Sequence, residues 1–92
     1  MFRVTLVCSG LPATAGAEAA IDIAKDFADH RKWHSRVTCE WDGALLTLQS
    51  ENDFDHTGLA TLDEFSDCIS AYVTDPGDSE IEITSVRELP GP

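Results

Sequence analysis

Basic residues are scarce in this chain: six Lys and Arg stand against 17 Asp and Glu among 92 residues, a formal net charge of −11. Affinity for nucleic acid rests largely on Lys and Arg neutralising phosphates, so this composition argues against RNA or DNA as a ligand. Long apolar runs are missing as well. No stretch approaches the roughly 20 apolar residues that cross a bilayer, and "MFRVTLVCSG" alternates instead of forming an apolar block before a small-residue cleavage site. Neither a membrane segment nor a signal peptide is expected. Cysteine is represented only by Cys8, Cys39 and Cys68, an odd number without Cys-x-x-Cys spacing, each within an apolar pattern. That usage fits reduced, buried thiols in a cytoplasmic protein, not a disulfide framework or a metal site.

What is present suffices for one domain. Apolar residues at 42% and charged residues at 25% lie near the averages of globular proteins. A chain of this length can close one modest core, so residues 1–92 read as a single domain with a polar tail, "RELPGP", from about residue 87.

The hydrophobic period changes along the chain. Phe2, Val4, Leu6 and Cys8 share one side of a strand, with Arg3, Thr5 and Val7 on the other. The run carries no charge after Arg3, which places it inside a sheet. From Ala17, with Thr14 as candidate cap, Ala20, Ile23, Ala24 and Phe27 fall on one helical face. In "SRVTCEWDGALLTLQS", Asp42-Gly43 is a strong hairpin signal. A two-residue loop there would pair Trp41 with Ala44, Cys39 with Leu46 and Val37 with Leu48. A second helix carries Leu62, Phe65, Cys68, Ile69, Tyr72 and Val73, with Thr61-x-x-Glu64 reading as a capping box and Asp75-Pro76-Gly77 as its stop. Glu80 to Val86 alternates again, with Ile81 and Ile83 inward. The order β-α-β-β-α-β predicts a ferredoxin-like α+β domain: a four-stranded antiparallel sheet, both helices on one face, the second and fourth strands at the edges.

Charge is distributed unevenly. Residues 1–46 carry six acids and five bases, whereas residues 47–92 carry eleven acids and only Arg87. Acidic surfaces steer basic partners, so a basic protein or peptide is the expected partner. Asp63, Asp67, Asp75, Asp78, Glu80 and Glu82 are the candidate contact residues, in a monomer or homodimer. The basic island "HRKWHSR", residues 30–36, sits where the first helix should end. There, cations complement the helix dipole by roughly 0.3–1 kcal/mol each. An anion site built from His30, Arg31, His34 and Arg36 is the functional alternative, although the negative end of a helix opposes it.

The segment "DFDHTGLATLDEF", Asp53 to Phe65, resembles an EF-hand calcium loop. The resemblance implies Asp53, Asp55 and Thr57 as the first, third and fifth ligands, Gly58 as the sharp turn, and Glu64 as the bidentate twelfth ligand of Ca²⁺. The same residues also read as a solvated acidic loop before a capped helix. No coherent nucleophile, base and anion-stabilising set is present, and no catalytic residue is assigned. The expected function is that of a small, non-catalytic binding or regulatory domain for a basic protein, or alternatively of a calcium-binding module.

Overall fold

Alternation of Val4, Leu6 and Cys8 with Arg3, Thr5 and Val7 favours an extended segment that buries one side, and β1 (Phe2–Ser9) does so, with those three apolar residues fully buried. The structure is a computed structural model that describes residues 1–74 and 76–90. After β1 come α1 (Gly16–His30), β2 (Ser35–Trp41), β3 (Leu46–Asn52), α2 (Leu59–Tyr72) and β4 (Glu80–Glu88). The sheet order is β2-β3-β1-β4 and every neighbouring pair is antiparallel. With both helices packed on one face, this is the ferredoxin-like α+β arrangement. β1 lies inside the sheet, as its sequence predicts.

The core forms where the inward sides meet. Val4, Leu6 and Cys8 of β1 and Leu46 and Leu48 of β3 lie beneath Ala19, Ala20, Ile23 and Phe27 of α1 and Phe65, Cys68 and Ile69 of α2. Val37, Cys39, Trp41, Ile81, Ile83 and Val86, from the edge strands, complete its margins.

Local details differ from the sequence expectations for identifiable reasons. The hairpin loop is longer than two residues: Trp41 pairs with Leu46 and Cys39 with Leu48. Asp42 causes this. Its Oδ1 accepts the Ala44 and Leu45 amides at 2.9 and 2.7 Å, and its own amide donates to Leu45 O at 3.2 Å, closing a four-residue turn. The shift is even, so the apolar side stays inward. Thr14 does not cap α1. Ala15 occupies the N-cap position without a side-chain hydrogen bond, and a turn closed from Ala15 N to Pro12 O at 3.0 Å leads into the helix.

The capping-box reading also fails, because α2 begins before Thr61. Thr61 is fully buried inside the helix, and Asp55 supplies the oxygens that cap it. Gly58 makes the entry, with φ +83; a Cβ there would lie 2.9 Å from Val86 Cγ2. At the other end α2 stops at Tyr72 and Val73 is extended. Asp75, the expected stop residue, lies outside the described residues. Finally, Arg87 and Glu88 are not tail but strand, and the Leu89 amide donates to Met1 O at 2.8 Å. A bulge opposite Thr5 and Leu6 sets Val86 against Val4, three residues after Ile83, so both face the core.

Candidate functional site

α1, β3 and their following loops all finish at the end of the sheet where β1 and β2 begin. At this end, the Arg31 amide donates to Phe27 O and the His34 amide to Arg31 O, each at 3.1 Å, and this turn carries the basic island from helix to strand. His34 is drawn inward: its side chain is fully buried, its ring 5.1 Å from that of Phe27 between centroids.

Glu64, in the second turn of α2, is the hub. Its carboxylate accepts from Trp33 Nε1 at 2.9 Å and from His34 Nε2, and it lies 3.7 Å from Arg31 Nη1. The other ring nitrogen of His34 faces Asn52 Nδ2 at 3.4 Å. The Asn52 amide cannot turn round, because its Oδ1 accepts the Phe54 and Asp55 amides at 3.1 and 2.7 Å. Its NH₂ therefore points at His34 Nδ1 and at Thr61 Oγ1, which favours the His34 tautomer with its proton on Nε2, directed at Glu64. Thr61 in turn donates its hydroxyl to Asp55 Oδ2 at 2.6 Å.

Asp55 ends this chain of contacts. Its two oxygens accept the amides of Gly58, Ala60 and Thr61 at 3.0, 3.3 and 2.8 Å. Burial works against its charge, but the Thr61 hydroxyl and these amides outweigh burial and hold the carboxyl below its ordinary value. The network ties the C-terminal end of α1 to the N-terminal end of α2. Around it, Trp33 and Phe54 remain 52% and 45% exposed, each ring 6.1 Å from His34.

The residues of the calcium reading are divided by this arrangement. Asp53 and Thr57 are exposed, Asp55 is turned onto the α2 amides, and Glu64 faces Trp33 and His34. The segment that would enter an EF-hand is β3. Among the described residues no group of three or more His, Cys, Asp or Glu is arranged to hold a metal ion. Calcium at this loop would have to draw Asp55 and Glu64 away from their present partners.

The four residues of the anion reading do not converge either. His30 is exposed at the end of α1, and Arg31 lies over the Phe27 ring at 5.6 Å, between Asp26 and Glu64. His34 is inside, and Arg36 turns to Glu51 with its Nε 3.8 Å from Oε1.

Of the acidic contact residues, Asp63 and Asp67 are exposed on α2, in the helical layer. Glu80 and Glu82 stand opposite Ser9 and Val7, on the open face of the sheet, while Asp78 is exposed in the turn before β4. Asp75 lies outside the described residues. The set is therefore shared between opposite faces of the domain. The helical layer has its own acids, which the sequence reading left out: Asp22, Asp26 and Asp29 line a cleft of about 360 Å³ with Lys25, His30 and Tyr72.

Burial raises the Cys8 thiol above its ordinary value. Burial pushes Cys39 up to about 12. Burial and the Asp26 carboxylate, which accepts from Cys68 Sγ at 3.0 Å, push Cys68 up to about 12 as well. Among the described residues no helix is long and apolar enough to cross a membrane. No family model and no curated protein matches the chain.

Proposed function

We propose that this chain is a small non-catalytic binding domain whose acidic helical layer takes a basic segment of a protein partner. One observation carries the reading: Asp22, Asp26 and Asp29 of α1 surround a cleft beside Tyr72 of α2, with Lys25 as the only Lys or Arg lining it among the described residues. Exposed Glu18, Asp63 and Asp67 extend the same layer. A concave site with low-dielectric walls concentrates its field, which raises the encounter rate of an oppositely charged ligand.

The test compares two variants of equal charge. One converts Asp22, Asp29, Asp63 and Asp67 to Asn; the other converts Glu40, Asp78, Glu80 and Glu82 to Gln or Asn. Asp26 is left alone because it holds Arg31 and Cys68. Association of a short Lys/Arg-rich peptide is followed by stopped-flow fluorescence at several salt concentrations. The helical variant should associate about tenfold more slowly with a shallower salt slope, and the other variant should stay close to the parent. Equal effects of the two variants would mean that net charge alone governs the peptide, and the helical layer would lose its role.

A further inference from the structure

The sheet face away from the helices bears its charge in rows. The strand registers align Ser35, Glu51, Arg3 and Arg87 across the four strands, with Arg36 reaching Glu51 beside them. The next outward row is Thr38, Gln49, Thr5 and Ser85, wholly uncharged. Beyond it lie Glu40, Thr47, Val7 and Glu82, and then Glu80 opposite Ser9. Half of the chain's six Lys and Arg residues stand at one end of this single face. Arg3 and Arg87 are directly opposite on adjacent strands, a like-charge pairing that disfavours the isolated sheet. Glu51 accepts from Arg3 Nε and Nη2 at 3.1 and 2.9 Å and compensates one of the three charges. A face charged only for solubility would intersperse its signs.

We infer that a second copy of this chain docks on the open sheet face through a two-fold axis that runs across the strands along the uncharged row. That operation lays the arginine row of one copy over the glutamate row of the other. Arg87 then meets Glu82 of the second copy and Arg36 meets its Glu40, because each pair shares a strand. Two-fold symmetry repeats both contacts, so four intermolecular ion pairs frame a centre of Thr5, Thr38, Gln49 and Ser85, with Val7 and Thr47 of each copy over the Arg3–Glu51 pair of the other. A two-fold axis along the strands would instead oppose arginine to arginine, so the charge pattern selects one of the two orientations. Four strands about 4.8 Å apart and seven residues at about 3.3 Å each give a face of roughly 19 by 23 Å. Two such faces bury about 900 Å², just under the roughly 1,000 Å² of a stable specific interface and in the range of weak, transient encounters. The pair is therefore weak, concentration-dependent and sensitive to salt. It leaves the helical layer free, so the inference goes beyond the proposed binding site and does not depend on it.

Sedimentation velocity across a concentration series tests this, using Arg87→Glu, Glu82→Arg and the double variant carrying both. Arg87 and Glu82 are exposed on an edge strand, so circular dichroism should report an unchanged fold. The parent should dimerise at low salt and dissociate at high salt. Each single reversal should weaken dimerisation at least about tenfold, because it sets like charges against each other twice. The double variant should dimerise again. An equimolar mixture of the two single variants should also associate, since positions 87 and 82 then carry opposite charges across both contacts of the mixed pair. A parent that stays monomeric at low salt, single variants that dimerise as the parent does, or a mixture that stays monomeric would each overturn the inference.

Discussion

Asp55 illustrates how much one buried carboxylate can organise. It accepts three backbone amides that the first turn of α2 would otherwise leave unpaired, along with the Thr61 hydroxyl. Asp55→Ala should destabilise the domain by about 1–2 kcal/mol, the range for losing a helix cap. The loss should also depend on pH. Because the folded carboxyl titrates below its unfolded value of about 3.9, its stabilisation is complete above roughly pH 4 and fades as pH falls through the lower folded value. Urea unfolding of parent and variant should therefore give curves that differ at neutral pH and converge in strong acid. Thr61-x-x-Glu64 satisfied the local pattern of a capping box, yet Glu64 is turned toward Trp33 and His34. A local rule had no means of weighing those distant partners.

Between elements, Gly16 decides how closely α1 approaches the end of β2. Helix propensity alone would favour Ala at this position by up to about 1 kcal/mol. A Cβ there would lie 2.1 Å from Trp41 Cδ2, in a large ring wedged against the helix. Overpacking of that kind costs about 1–3 kcal/mol, so Gly16→Ala should be net destabilising in urea unfolding and should shift the Trp41 emission. In a Trp41→Ala background the sign should reverse, and the same substitution should stabilise. A cycle without this reversal would place the clash elsewhere. The hairpin is instructive at the same scale. Its location and inward side were legible from Asp42-Gly43 and the flanking alternation, whereas its register was not. Asp42 spends its side chain on the Ala44 and Leu45 amides, which lengthens the loop by two residues.

Across the whole molecule, the basic residues gather at one end, although Asp29, Glu51, Asp53, Asp55, Glu64 and Glu88 lie there too. Arg3, Arg31, Lys32, Arg36 and Arg87, with all three histidines, sit where β1 and β2 begin. Among the described residues, Lys25 is the only Lys or Arg outside that end. The rest of the described surface carries Glu18, Asp22, Asp26, Glu40, Asp42, Asp67, Asp78, Glu80 and Glu82. Repulsion among these acids works against the compact state. Raising salt from about 0.01 to 0.15 M shortens the Debye length from roughly 30 to 8 Å, and in dilute solution the thermal midpoint should rise by several degrees. About 4–8 °C corresponds to 1 kcal/mol in a domain of this size. A midpoint that falls in calorimetry would mean that the Arg3–Glu51 and Arg31–Glu64 pairs outweigh the repulsion.

The amino-acid sequence by itself determined the order of the elements, the inward side of each and the inner position of β1. Those properties follow from periods of 2 and 3.6 residues and from the right-handed crossover, which neighbouring residues already express. Only the tertiary structure decided which polar groups meet. His34 and Glu64 are 30 residues apart, and Arg3 and Glu51 are 48 apart. Nothing in the local pattern of either partner specifies the other. The arginine row likewise draws on residues 3, 36 and 87, which come together only once strand registers and two bulges are set. Side-chain pairing of this kind depends on the final approach of whole elements, and that approach is settled by packing.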